Sequence, residues 1–370
     1  MIADTFDSSQ RSGPVCAQDE GLANAVRITV IGDRFMRPGY FSEALQQALP
    51  DRDLVITELE LPFPDEPMIS GHPGGALEAL KEFQGDPEMI FAAVGDAAIL
   101  VNHLAPLSGA MIERLSKLEL VAMARGGAVN IDMQAARRRG LKVVNAPGRN
   151  ASAVAEFTIG AILAETRHIR RGHEALRAGH WRGDLYRADV TGREISELTV
   201  GVVGYGAIGH RVVRLLSAFG AKILVTDPYV ALSSADLAAG VEQVDASALW
   251  ERSDVITLHA RLTDETRNLV NRETLAKVKP GAFLINTARG PMVEPEALIQ
   301  ALDDGRLAGA MLETFPEEPV PPGYPLLSHE KITVTPHIAG ASLQTIRHTA
   351  AMVAEEVRRH LQGQEPLNPL

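Results

Sequence analysis

Short apolar runs alternate with longer amphipathic stretches along almost the whole chain. The first run, Val26-Arg27-Ile28-Thr29-Val30-Ile31, is followed by a helical pattern near Tyr40–Leu49. Further runs lie at Leu54–Ile56, Met89–Val94, Ala98–Val101, Leu118–Ala124 and Lys142–Val144, with helices such as Ser108–Leu115 and Asp132–Arg138 between them. Strands separated by helices predict a parallel sheet covered on both faces, because a parallel connection needs a long crossover and lays it across a face. Pro147-Gly148 interrupts the pattern. Asn150 then reads as the N-cap of a long apolar helix from Ala151 towards Leu176, followed by the polar stretch Gly179–Glu194.

A second alternation starts there, with strands predicted at Thr199–Val203, Lys222–Thr226, Asp254–His259, Ala282–Thr287, Ala308–Leu312 and Ile332–Thr335. Helices such as Ala207–Phe219 and Pro295–Leu302 separate most of them. Six strands with crossovers predict a second doubly wound sheet. Ser342–Leu361 closes the pattern as one amphipathic helix. The fold class is therefore α/β with two doubly wound parallel-sheet domains, and 370 residues are too many for one comfortable core.

Composition narrows the partners. A hydrophobic fraction of 45% with only 5% aromatics suits packed α/β layers rich in Ala, Val, Leu and Ile. The net charge of −11 opposes nucleic acid and anionic membrane, both of which need a basic footprint. Residues 1–25 are mixed and polar, so they read as a flexible extension and not as a signal peptide. The single cysteine, Cys16, lies in that extension, and a chain without an internal disulfide points to the reducing cytoplasm. No metal site is expected.

Gly204-Tyr205-Gly206-Ala207-Ile208-Gly209 joins the strand Thr199–Val203 to an apolar-periodic helix. In such a turn the first glycine permits the bend, the second lets backbone approach a pyrophosphate, and the third lets helix and strand pack closely. Amides at the helix start then face the phosphates, aided by the helix dipole. Asp227 ends the next strand, eighteen residues beyond Gly209, where a carboxylate accepts hydrogen bonds from ribose hydroxyls and repels a 2′-phosphate. The pattern points to NAD in preference to NADP. The plainer reading of Asp227 is a turn-initiating residue before Pro228.

Three other strand ends carry chemistry-bearing residues. Asn286-Thr287-Ala288-Arg289-Gly290, Glu317-Glu318-Pro319 and Thr335-Pro336-His337-Ile338-Ala339-Gly340 each follow a strand of the second sheet. Ligands of open α/β sheets bind beyond the carboxyl ends of strands, so a guanidinium, a carboxylate and an imidazole are expected together. Arginine binds a carboxylate through a two-pronged fork, histidine exchanges a proton with a carbonyl oxygen near neutral pH, and a neighbouring glutamate steadies the imidazolium. Each residue alone has a plain alternative: Arg289 as a surface charge, Glu318 as a solvated loop acid, His337 as a satisfied polar group. Their joint occurrence around one cofactor sheet favours the chemical reading.

From about Ala97 to Leu361 the chain resembles the D-isomer-specific 2-hydroxyacid dehydrogenases, a family that includes 3-phosphoglycerate, glyoxylate and hydroxypyruvate enzymes. The likeness rests on Asn130-Ile131-Asp132, Pro147-Gly148-Arg149-Asn150 with Val154-Ala155-Glu156, the glycine turn, Asp227-Pro228-Tyr229, Leu258-His259, Asn286–Gly290, Glu317-Glu318-Pro319 and Pro336–Gly340. It implies that Arg289, Glu318 and His337 form the family's catalytic set, with Glu318 supporting His337. Cofactor contacts are implied at Gly204–Gly209, Asp227, His259, Ala260, Thr287, Ala288, Glu313 and Gly340. Substrate carboxylate contacts are implied at Arg289 and at the backbone of Arg125-Gly126-Gly127. The resemblance further implies a Rossmann-type NAD domain over 149–338, a flavodoxin-like substrate domain over 26–148 and 339–370, a cleft between them, and a homodimer through the cofactor domain. The substrate is then a small 2-hydroxy or 2-oxo acid. No appended regulatory domain is expected after the last helix.

Three positions depart from the family pattern. Glu313 stands where the family has an Asp that contacts the nicotinamide carboxamide, and one methylene shifts its reach. Arg261 stands where a proline usually follows, either solvated or adding charge near the adenosine. Arg125 replaces a small residue, either as a surface charge or, with Arg34 or Arg37, as a recognition site for a second anionic group such as a phosphate or distal carboxylate. Two rival readings stay open: an imino-acid or other acid reductase on the same scaffold, and a non-catalytic NAD-sensing corepressor. Glu318 argues against formate enzymes of this group, which carry Gln there.

Overall fold

The computed structural model describes residues 25–370, so Cys16 and nearly all of the expected N-terminal extension lie outside the described residues. The chain divides into two compact units, one running to Ala146 and joined by Ala350–Leu370, the other Pro147–Thr349.

The first unit begins with β1 (Val26–Asp33), α1 (Pro38–Ala48), β2 (Leu54–Leu61), α2 (Pro87–Val94) and β3 (Ile99–Asn102). It continues with α3 (Gly109–Arg114), β4 (Leu120–Met123), α4 (Met133–Arg139) and β5 (Lys142–Val144). Its five parallel strands lie in the order β2-β1-β3-β4-β5, the flavodoxin-like arrangement expected. Strands β3 and β4 are buried at every position, as central parallel strands must be when both faces carry helices.

Met89–Val94, an apolar run in a series of strands, is instead the body of α2. Asp86 accepts the amides of Glu88 and Met89, and Pro87 supplies a helical φ at the first position. Ile90 and Val94, one turn apart, are the buried pair of that helix. Capping chemistry decides here, because six apolar residues fit either periodicity.

The second unit opens with α5 (Ala151–Thr166) and α6 (Ile169–Arg177). The predicted single helix is thus broken. His168 takes a left-handed φ of 56°, and the chain returns so close that a Cβ on Gly192 would lie 2.0 Å from the Thr166 carbonyl oxygen. Asn150 makes no side-chain cap to α5. Its amide instead faces Gly340, where a Cβ would come within 2.5 Å of Nδ2.

The second sheet follows, with β6 (Thr199–Val203), α7 (Ala207–Ala218), β7 (Lys222–Thr226), α8 (Ser234–Ala238), β8 (Glu242–Gln243) and α9 (Ala246–Arg252). Next come β9 (Val255–Leu258), α10 (Arg272–Lys277), β10 (Ala282–Asn286), α11 (Pro295–Asp303), β11 (Leu307–Leu312), α12 (Pro325–Ser328) and β12 (Ile332–Val334). The last helix, α13, spans Leu343–Leu361. Seven parallel strands, not six, run in the order β12-β11-β10-β9-β6-β7-β8. The extra strand is two exposed polar residues at the sheet edge, so it carries no apolar signal.

Neighbouring residues of the central strands feed opposite cores. Ile256, Leu284 and Leu312 pack with Leu249, Trp250 and Leu298 on one face. Val255, Ile285 and Met311 pack with Ile162, Val202 and Val212 on the other. Strands β9, β10 and β12 each stop one residue earlier than expected, which leaves His259, Thr287 and Thr335 as the first residues of the loops beyond them.

Leu284 is fully buried between β9 and β11. Leu284→Ala is expected to cost about 2–5 kcal/mol of stability, the range for removing a buried leucine side chain. Urea denaturation followed by circular dichroism tests this.

Candidate active site

Strand β6 sends its connection to β7 on one side and pairs with β9 on the other, so the glycine turn after it lies at the switch point of the sheet. The three glycines have separate duties. Gly204 has φ 94°, and a Cβ there would lie 2.6 Å from the Ala260 amide nitrogen. A Cβ on Gly209 would meet the Gly204 carbonyl oxygen at 2.0 Å. Gly206, in contrast, has nothing within 4 Å of that position, and no side chain caps the helix it starts. An uncapped helix start behind an open glycine fits a pyrophosphate.

Asp227 holds the next loop. One carboxylate oxygen accepts the Tyr205 amide at 2.7 Å, and the other accepts the amides of Tyr229 and Val230 at 2.8 and 3.0 Å. With two acceptor positions on each carboxylate oxygen, one position on the oxygen that takes the Tyr205 amide stays open, which fits a ribose hydroxyl. Tyr205 turns its ring into the core, and its hydroxyl donates to Asp236. Burial opposes the charged form of Asp236, but Ser233, Tyr205 and the nearby His210 outweigh it and hold the carboxyl below its usual range. The glycine turn and the loop after β7 are therefore tied twice through one residue.

His259 begins the loop after β9. Its Nε2 lies 2.9 Å from the Thr257 hydroxyl, and its Nδ1 is shielded without a partner. Burial pushes this ring down to about 3, so it is neutral at any working pH. Ala260 is half-buried beside it. Thr287 and Ala288 are buried, with the Thr287 hydroxyl 3.0 Å from that of Thr158.

Arg289 stands on a turn shaped by Asn286, whose side chain accepts the Ala288 amide and donates to the Arg289 carbonyl oxygen, both at 3.0 Å. The guanidinium is exposed, with Nη1 on the Ala288 carbonyl oxygen at 2.8 Å. A Cβ on Gly290 would lie 2.0 Å from the Phe315 carbonyl carbon, so only glycine lets this turn reach the 313–318 segment. On that segment Glu318 accepts the Phe315 amide at 2.8 Å with one oxygen and lies 2.7 Å from His337 Nδ1 with the other.

Burial opposes the charge on Glu318. The His337 bond and charge, the Phe315 amide and the Arg289 charge prevail and hold its carboxyl below the usual range. Arg289, Glu318 and His337 are thus brought together. His337 itself has φ 55°, a left-handed conformation unusual for a side-chain-bearing residue. Glu313, expected at the nicotinamide, is fully buried, and its carboxylate accepts from the Thr335 hydroxyl and the Ala339 amide.

In the first unit Gly126 and Gly127 each have nothing within 4 Å of where a side chain would start. Arg125 donates to the Glu82 carbonyl oxygen at 3.1 Å and pairs with the Glu82 carboxylate. Arg34 pairs with Asp65 and Arg37 with Glu60. Each arginine offered for a second anionic group already has a carboxylate partner, which favours the structural reading of Arg125. Sequence reasoning gave no role to Thr335 or Tyr205's hydroxyl. Asn286 was legible in part, because an Asn closing an apolar strand before a tight turn is an Asx signature. Among the described residues no group of three or more His, Cys, Asp or Glu is placed to hold a metal ion.

Dehydrogenases that bind a nicotinamide dinucleotide are the class to which such a sheet edge points, with a phosphate turn at its switch point and an acid–base pair over its carboxyl ends. Residues 159–339 match the family model described as D-isomer specific 2-hydroxyacid dehydrogenase, NAD binding domain. A glyoxylate reductase from Thermofilum pendens is 38% identical over 256 residues, which cover 69% of this chain and 76% of that one. A D-3-phosphoglycerate dehydrogenase from Methanocaldococcus jannaschii is 36% identical over 75% of this chain, which spans 52% of that longer protein. Among solved structures, the apo D-lactate dehydrogenase of Escherichia coli superposes with a TM-score of 0.72 at 25% identity, over 93% of this chain and all of that one. The chain belongs to the D-isomer-specific 2-hydroxyacid dehydrogenase family, and it is an NAD-dependent oxidoreductase.

The glycine duties separate fold from binding. Gly206→Val is expected to leave the thermal midpoint unchanged yet weaken NADH at least tenfold in a fluorescence titration, because its side chain enters open space needed by phosphate. Gly209→Val is expected to lower the thermal midpoint, because its Cβ collides with backbone.

Proposed function

We propose that the enzyme interconverts a small 2-oxo acid, of the size of glyoxylate, with its D-2-hydroxy acid, and that Arg289, Glu318 and His337 carry the chemistry. The observation behind this reading is the 2.7 Å pair of His337 Nδ1 and Glu318. It fixes the ring so that Nε2 is the nitrogen left to meet a substrate oxygen. Bound NADH supplies the hydride to C2. Arg289 holds the acid's carboxylate in its fork and polarises the adjacent carbonyl. His337 donates a proton to the carbonyl oxygen as it becomes an alkoxide, and takes one back in the oxidative direction. Glu318, kept anionic by its neighbours, stabilises the imidazolium.

A non-catalytic sensor has no need for a carboxylate clamped on an imidazole, so the pair weighs against that rival. His337→Ala is expected to lower turnover by about 10²- to 10⁴-fold, the usual worth of a general acid, while NADH still binds. Arg289→Ala is expected to raise KM for the oxo acid by about 10- to 100-fold, the worth of a charged hydrogen bond. NADH oxidation against a panel of 2-oxo acids, with phosphorylated, dicarboxylic and imino members, checks both variants and the substrate class. Full activity in His337→Ala overturns the assignment.

The proposal extends to a homodimer formed through the cofactor unit, in the cytoplasm, where a chain with one cysteine is at home. Among the described residues, helix α6 buries none of its own side chains. Ile169 and Leu176 are each 58% exposed, with Trp181 at 85% and Tyr186 at 96% shortly beyond, an apolar surface that a second copy would cover. Trp181→Glu with Tyr186→Glu is expected to give monomers in analytical ultracentrifugation; an unchanged sedimentation coefficient refutes this surface.

A further inference from the structure

Glu313 follows β11 and joins two strand ends. Its amide donates to the Asn286 carbonyl oxygen and its own carbonyl accepts the His337 amide, both at 3.0 Å. Its carboxylate reaches across the same loop, taking the Thr335 hydroxyl on one oxygen and the Ala339 amide on the other. Three contacts therefore hold His337 and positions on both sides of it, and a fourth holds the strand end that leads to Arg289. The loop needs such a hold, since a left-handed φ at a histidine is unfavourable unless its surroundings impose it.

We infer that Glu313 is the positioning residue of the acid–base loop, fixing through Thr335 and Ala339 the backbone that presents His337. The inference rests on His337 as the proton donor of the proposed reaction. It also gives the extra methylene a purpose. With the backbone of residue 313 pinned on both sides, an aspartate carboxylate would fall short by roughly 1.5 Å, one C–C bond. Aspartate, although it is the family's usual residue here, would not hold Thr335 and Ala339 together. Glutamine would: its carbonyl oxygen accepts the Ala339 amide and its NH₂ donates to the Thr335 hydroxyl.

The test compares Glu313→Asp, Glu313→Gln and Thr335→Val in the full chain, with kcat at saturating NADH and oxo acid, and NADH affinity by fluorescence titration. Glu313→Asp is expected to lose at least tenfold in kcat with NADH affinity within twofold. Glu313→Gln is expected to keep kcat within threefold. Thr335→Val should lose several-fold in kcat, and adding it to Glu313→Asp should cost less than the two single losses combined. NADH binding reports that each variant is folded; where Glu313→Asp fails that check, Thr335→Val decides. Wild-type kcat in Glu313→Asp or in Thr335→Val overturns the inference. A loss that appears in NADH affinity instead overturns it too, and makes Glu313 a cofactor contact. An active His337→Ala enzyme sinks the functional reading itself, whereas an inactive one beside a fully active Glu313→Asp sinks only this inference.

Discussion

Every strand of the larger sheet points the same way, and the site depends on that constraint. Parallel strands deliver all their following loops to one edge, so the residues after β6, β7, β9, β10, β11 and β12 share a rim without any long excursion. The cost of the arrangement is a row of loops whose backbone groups have no ladder to pair with. Side chains take over that task here. Asp227 satisfies three amides, Asn286 closes its own turn, Glu313 spans the histidine loop and Glu318 holds the Phe315 amide. Three of these four are carboxylates, and each joins chain segments that belong to different turns or to both ends of one loop.

That division of labour explains what the sequence discloses. The two sheets, their strand directions and every strand but β8 follow from apolar periodicity, whereas short helices such as α8, α9, α10 and α12 do not, and the glycine turn follows from its spacing. Arg289, Glu318 and His337 stand out in the sequence because all three follow strands of one parallel sheet, whose loops share an edge. The two-residue β8 is silent because Glu242 and Gln243 are polar and exposed. Met89–Val94 misleads because a six-residue apolar run carries no period, and only the Asp86-Pro87 cap settles it. The break at His168 lies where the chain returns at Gly192, an approach between residues too far apart for any local pattern to reveal.

Charge placement is the least legible layer. Arg125, with Arg34 or Arg37, reads as a surface charge or as a site for a second anionic group, yet each of the three is matched by an acid from another stretch of chain, at Glu82, Asp65 and Glu60. Glu313 reads as a conservative variant of aspartate, yet its length is matched to two donors that flank His337. In both cases the residue type is plain from the sequence and its partner is not, because the partner is chosen by the fold.

Asp227 also bears on how this protein could change over generations. A switch of cofactor preference towards a 2′-phosphate would require this negative charge to go, and with it would go the acceptor for Tyr205, Tyr229 and Val230. One substitution would then disturb both the glycine turn and the loop after β7. Preference for NAD is in that sense entrenched: the path away from it passes first through residues that can still accept those amides, such as Asn or Ser, and only then through the gain of a cation.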